Sequence, residues 1–228
     1  MIKFISGARV PLSEESFADA DFAQFYDEHA RRFMGLIYRR FAAKAVKINP
    51  AGKQVLDIGT GSGRLAIEMA RARSDWQITG IDISEDMLKL ARQNTAQGSL
   101  AGRIDFRQAS AAALPFADGY FTLVTCNSSL HLWANPIKVF KEIARVTSPG
   151  GYCLIWDNLR LAMLNPFLSL IGWIMGMDAS QRRLWLQAVR SSYTIGEAKA
   201  MLENSALKDA RVIFIPGVFY LGIEWRKP

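Results

Sequence analysis

Residues 55–64 read VLDIGTGSGR, and this run decides the fold. A short apolar segment ends in an acid at Asp57, glycines follow at every second position (Gly59, Gly61, Gly63), and a helical pattern then begins. Such a turn joins a buried strand to a helix and lets a ligand lie against bare backbone. A dinucleotide-binding turn has its glycines in a G-x-G-x-x-G pattern, seats a pyrophosphate on the helix N-terminus and packs helix on strand through its third glycine. The spacing here is G-x-G-x-G, with Arg64 and Leu65 following. Asp57, two residues before the first glycine, would repel a pyrophosphate and attract a cation.

One helix further on, WQITGIDIS is a second apolar run that ends in Asp82. The separation is roughly the 20 residues expected between these elements in a nucleotide-binding βαβ unit. A carboxylate is acceptor-only and has two oxygens, so it can take hydrogen bonds from both vicinal hydroxyls of a ribose. The loop, Asp57 and Asp82 together call for a cationic ligand that contains a nucleoside. S-adenosylmethionine carries a sulfonium and an ammonium and has no phosphate.

On these residues the chain resembles the class I S-adenosylmethionine-dependent methyltransferases, in the small-molecule group that includes ubiquinone and menaquinone C-methyltransferases. The resemblance runs from about Phe25 to Val212. Four segments carry it: VLDIGTGSG; ITGIDIS with Met87 following; ASAAALPFADGYFTLV; and NSSLHLWANP running on to RVTSPGG. It implies an α/β, Rossmann-like fold: a seven-stranded, mostly parallel sheet with one antiparallel strand, helices on both faces and an extra helical cap. It also implies S-adenosylmethionine as cofactor. Gly59, Thr60, Gly61 and Gly63 would then bring backbone against the methionine part, with Asp57 near its ammonium and Asn127 beneath it. Asp82 would take the ribose hydroxyls, and Ile83 and Met87 would sandwich the adenine. Ser110 and Ala111 stand at the adenine edge, where relatives commonly carry an acid and a small residue. Ser110 departs from that pattern and offers a hydroxyl in place of a carboxylate. Tyr26 resembles the tyrosine that closes over the cofactor from the N-terminal helix.

Methyl transfer from a sulfonium is an in-line displacement, so a base is needed only where the nucleophile must lose a proton. His131, in SSLHLW, is the candidate general base; the alternative is a structural histidine bonded to backbone at the pocket wall. Trp133 would line the same pocket. Asn127 with Asp157 and Asn158 resembles the ligand set of magnesium-dependent catechol O-methyltransferases, but the first ligand there is an acid, so no metal is expected. No Asn/Asp-Pro-Pro-aromatic run follows the fourth strand, which disfavours methylation of nucleobase amines. The expected activity is methyl transfer to a small, apolar or aromatic molecule. The alternatives are a catalytically silent cofactor-binding or scaffold protein, suggested by Ser110, and an RNA methyltransferase.

The alternation of strands and helices predicts one domain over residues 1–228. Its parts are an N-terminal helix over 21–48, a cofactor-binding core over 53–157, a helical cap over 158–193, and a helix with a strand pair over 194–228. Pro149-Gly150-Gly151 reads as a turn feeding the fifth strand, and Pro216-Gly217 as the joint of an antiparallel pair. The 158–193 insertion holds two helical stretches, broken at Asn165-Pro166 and near Met177-Asp178. Its first half is apolar nearly all round, and three readings stay open: packed core, a cap over an apolar pocket, or a face resting on a membrane or a second subunit. The first residues, MIKFISGARVPLSEES, contain no long apolar run, so no signal peptide is expected. Cys126 and Cys153 fall in strand-like runs and fit no zinc spacing, which suits reduced thiols in a cytoplasmic protein. The formal charge of +7 draws partly on Arg31, Arg32, Arg39, Arg40, Lys44 and Lys47. No aromatic strip interleaves with them, so a nucleic-acid partner is disfavoured. No motif specifies an oligomeric state.

Overall fold

The computed structural model describes residues 8–12, 20–49, 51–96, 100, 102–161, 165–174 and 176–228. Most of the N-terminal run that carries the signal-peptide reading, and parts of the apolar insertion, lie outside them. Seven strands form one sheet: β1 (Gln54–Ile58), β2 (Gln77–Asp82), β3 (Ile104–Gln108), β4 (Phe121–Asn127), β5 (Thr147–Asn158), β6 (Arg211–Ile215) and β7 (Tyr220–Arg226). Their spatial order is β3-β2-β1-β4-β5-β7-β6. β7 runs antiparallel to both β5 and β6, and the pairs among β1 to β5 are parallel. This matches the expected sheet with one antiparallel strand.

The helices are α1 (Ala20–Phe33), α2 (Gly35–Ile48), α3 (Arg64–Ala72), α4 (Glu85–Ala96), α5 (Pro136–Val146), α6 (Asn165–Ile174), α7 (Ala179–Ser191) and α8 (Ile195–Glu203). Successive strand residues point to opposite faces, which builds two cores. Val55, Ile78 and Leu154 pack with Phe41 of α2 and Met69 of α3 on one face, whereas Leu56, Val124 and Ile155 pack with Phe140 and Ile143 of α5 on the other. Cys126 and Cys153 are both buried and free.

The structure corrects two boundaries. The helix expected over 21–48 is two helices, broken at Met34, whose φ is −94° and ψ −5°. Gly35 is a poor helix former, and the break lets α1 pack on α4 while α2 packs on α3. Pro149-Gly150-Gly151 is not a turn ahead of β5 but an irregularity within it. The pairing register with β4 shifts between Phe121 and Leu123, and Gly150 takes a φ of 73°. In the insertion, Asn165-Pro166 opens α6, where a proline costs no hydrogen bond. Asp178 caps α7 in a reciprocal box with Gln181.

Register positions the site. Ile58 pairs with Ile81 and with Cys126, and Asn127 pairs with Trp156. The carboxyl ends of β1, β2, β4 and β5 are therefore nearly level. Asp57, Asp82 and Asp157 all sit at that edge, where ligands of open α/β sheets bind.

Candidate active site

The loop after β1 needs its glycines. Gly59, Gly61 and Gly63 have φ of 66°, 53° and 75°, the left-handed region that glycine enters without strain. A Cβ on Gly59 would lie 2.4 Å from Ser129 Oγ, and one on Gly63 2.9 Å from Phe106 Cζ. At Gly61 a Cβ would meet only Tyr26, at 3.5 Å, so Tyr26 lies over the loop.

Asp82 accepts from the Gly61 amide at 2.9 Å through Oδ2 and from the Ser84 amide at 3.0 Å through Oδ1. The Ile83 amide also bonds this carboxylate, and with about four acceptor sites it keeps capacity for a further donor. Burial raises its pKa, against the lowering by those amides. Asp57 is buried beneath the loop. Its oxygens accept from Thr60 Oγ1 at 2.8 Å and Thr125 Oγ1 at 2.9 Å, yet burial pushes its carboxyl up to about 6. A small recess above it is bounded by Tyr26, Tyr38, Thr60 and Asn127. Burial lifts Tyr26 to about 12, against a hydrogen bond with Tyr38, and the charges of Asp82, Asp157 and Asp57 add to the rise. Asn127 donates through Nδ2 to the Trp156 carbonyl at 3.4 Å and accepts from Ser128 at 3.3 Å.

A cavity of about 620 Å³ opens over this edge, within the usual range for small-molecule sites. One end is formed by Gly59, Gly61, Asp82, Ile83, Met87 and Ala111. The other is walled by side chains of α1, α2, α6 and α7, with Trp133, Leu161 and Phe219. Ser110 does not line it. That residue is exposed, and its hydroxyl accepts the Ala112 amide at 3.2 Å within a turn. Among the described lining residues there is no lysine or arginine.

His131 faces the cavity from the 3₁₀ turn Leu130–Leu132. Its Nδ1 lies 2.7 Å from Asp157 Oδ1, and its backbone amide donates to Asp157 Oδ2 at 2.9 Å. Because a carboxylate only accepts, this contact puts the proton on Nδ1 and leaves Nε2 free to accept another. The Asn158 amide also donates to Asp157, at 2.6 Å. Asp157 is thus committed to His131 and Asn158. Sequence reasoning weighed it only as a metal ligand and missed this partnership; its place at the end of β5, level with the other two acids, is the signal that was there. Arg9 was also missed, and no motif marks it. Its guanidinium donates to the carbonyls of His131 (2.8 Å) and Ser191 (2.5 Å) and lies 4.3 Å above the Tyr193 ring. Ser128 takes a φ of 56°, uncommon outside glycine, and its hydroxyl meets Tyr220 Oη at 3.1 Å.

This sheet order, with a glycine loop after the first strand and an acid after the second that accepts from that loop, is the class I methyltransferase fold. Solved S-adenosylmethionine-dependent methyltransferases share this fold. Residues 56–155 match the Methyltransferase domain family. The chain is 40% identical over 121 residues to the ubiquinone/menaquinone biosynthesis C-methyltransferase UbiE of Geotalea daltonii, an alignment that covers 53% of this chain and 51% of that one. The chain thus spans about half the length of that relative. It is 26% identical over 185 residues to the enzyme of the same name from Yersinia pestis, covering 76% and 73% of the two. Among solved structures it resembles a methyltransferase from Methanococcus maripaludis described as S-adenosyl-L-methionine-dependent (TM-score 0.71, 22% identity, 92% and 93% covered). It also resembles the plantazolicin methyltransferase BpumL in complex with SAH (TM-score 0.74, 15% identity, 94% of each chain covered).

Proposed function

We propose that this chain methylates a small, apolar, aromatic molecule, with a ring carbon of a quinone precursor as the favoured acceptor. The observation that carries this reading is the single cavity that joins the glycine loop and Asp82 to His131 across an apolar wall. The relatives named above, called ubiquinone/menaquinone C-methyltransferases, agree in ring chemistry. The segment 158–193 acts as a cap on the same 1–228 domain, since α6 and α7 supply part of that wall.

The loop fits the cofactor: Gly61 has no neighbour but Tyr26 where a side chain would stand, and Asp82 keeps acceptor capacity. Asp82 would hold the ribose, Ile83 and Met87 the adenine, and the Ala111 backbone the adenine edge. Thr60 and Asn127 would frame the methionine end, with Asp57 opposing the ammonium. When bound, S-adenosylmethionine supplies an electrophilic methyl on a sulfonium. His131 takes a proton from the substrate at Nε2, and Asp157 holds the ring and stabilises the imidazolium that results. The apolar wall excludes water and aligns the acceptor.

The test is turnover of S-adenosylmethionine with a panel of hydroxylated aromatic and hydroquinone compounds, read by mass spectrometry of the methylated product. A product carrying a new C-methyl supports the reading. Cofactor binding with no transfer to any panel member would favour a silent binding protein instead.

A further inference from the structure

The helix α6 is apolar on both sides, and only one side is covered. Leu168 and Ile171 line the cavity. On the outer side Phe167, Leu170, Trp173 and Ile174 are 53–69% exposed. Four large apolar side chains on one short helix are more than scattered surface hydrophobes. Beside them a groove of about 300 Å³ runs between α6 and α7, lined by Ser169, Arg182, Arg183 and Arg190 with no carboxylate. Arg183 and Arg190 are exposed, and neither pairs with an acid among the described residues. From Leu159 to Ser192 the only acid is Asp178, whose carboxylate is taken up by the α7 cap.

We propose that α6 and the arginine groove dock this protein on an anionic phospholipid bilayer. At ten residues α6 is far too short to span a bilayer, and no helix among the described residues is long and apolar enough to do so. It lies in the interface instead, with Phe167, Leu170, Trp173 and Ile174 entering the acyl boundary and Trp173 placed at headgroup depth. Arg182, Arg183 and Arg190 receive lipid phosphates, which guanidinium groups bind through two parallel bonds. Charge decides between a bilayer and a second copy of the chain. A two-fold contact through this face would set the arginines of both copies together with no acid between them, whereas an anionic surface is complementary. The docking stands apart from the reaction proposed above. If that reaction also holds, the helix on the bilayer is itself a wall of the substrate cavity.

The experiment is flotation of the full chain with vesicles of phosphatidylcholine alone, or with added phosphatidylglycerol, at two salt concentrations. Binding is expected to the anionic vesicles at low salt and to weaken as salt rises. Arg183→Ala with Arg190→Ala should lower the partition coefficient roughly thirtyfold, from the usual contribution of each surface arginine. Trp173→Ala with Ile174→Ala should lower it at least about tenfold. Both variants should bind S-adenosylmethionine as wild type does, which controls for folding. The inference is overturned if wild type fails to float with anionic vesicles, floats equally with neutral ones, or floats unchanged in either double variant. It is also overturned if sedimentation velocity finds a dimer that Trp173→Ala with Ile174→Ala dissolves, which would assign the face to a second copy.

Discussion

Lowering the pH from about 7 to 5 should weaken cofactor binding roughly tenfold, through Asp57. The carboxyl is 1% exposed, and burial pushes it up to about 6 even though two threonine hydroxyls donate to it. In the ligand-free protein it is about ten parts ionised to one protonated near pH 7, and the reverse near pH 5. A bound cation favours the ionised form and returns the group toward the ordinary aspartate value of 3.8. Binding near pH 5 must then expel a proton, at a cost of about one decade in affinity. Stability has the opposite sign. A carboxyl raised on folding contributes most below its unfolded pKa, and that contribution is lost as pH rises through about 6. For Asp57 the loss is on the order of 3 kcal/mol. Asp82, also raised by burial, adds to both trends, so a variant is needed to separate them. Asp57→Asn, which mimics the protonated form at every pH, should bind at pH 7 roughly a hundredfold more weakly than wild type, with a flatter profile, and should melt higher than wild type without ligand at pH 7. Calorimetric titration with S-adenosylmethionine, at constant ionic strength and in two buffers of different ionisation enthalpy, reads affinity and proton release together. Wild-type affinity that is constant from pH 5 to 7, or an Asp57→Asn profile that tracks wild type, would refute the reasoning.

If Asp82 holds the ribose as proposed, Asp82→Ala removes two charge-assisted bonds and cofactor affinity should fall roughly a hundredfold; near-normal calorimetric affinity would displace the ribose from this acid. His131→Ala should lower kcat by roughly a hundredfold or more and leave the cofactor Kd unchanged, and undiminished turnover would return His131 to a structural role. Gly63→Ala forces a side chain into a φ of 75° with its Cβ 2.9 Å from Phe106 Cζ, a loss of about 1–3 kcal/mol. A melting temperature equal to wild type would show that the loop relaxes freely.

The sheet was legible because its signals are local. Apolar runs that end in an acid, as at Asp57, Asp82 and Asp157, mark strand edges, and parallel pairing brings those edges level. The break at Met34 was not legible. The apolar pattern runs through it, and Gly35 alone does not say that α1 and α2 pack on different neighbours. The bulge in β5 was hidden for a related reason, since Pro-Gly-Gly suits a turn and an interrupted strand equally. The Asp57–Gly63 loop and Asp82 could be joined from sequence because their separation is conventional. His131, on the 3₁₀ turn after β4, and Asp157, at the end of β5, stand 26 positions apart. They meet only because Asn127 pairs with Trp156, a register that no local motif encodes. The apolar character of 158–193 was plain, but periodicity cannot divide a helix that is apolar all round into a covered and an uncovered side. Only its neighbours do that.

The cavity's polarity then follows from two sources that the chain keeps separate. Strand ends supply the acids, because the carboxyl edge of a parallel sheet is where backbone amides are left to hold them: Gly61 and Ser84 for Asp82, His131 and Asn158 for Asp157. Helices outside the sheet supply the apolar wall, because their inner faces have no other partner. Acids beside an apolar wall are poorly solvated, as the raised Asp57 and Asp82 record. A cation relieves that cost where a neutral or anionic ligand would add to it. Under the proposed reading, the same wall that favours a cation beside the acids would also accept an uncharged ring. One cavity can therefore seat two ligands of opposite character without a lysine or arginine among its described walls.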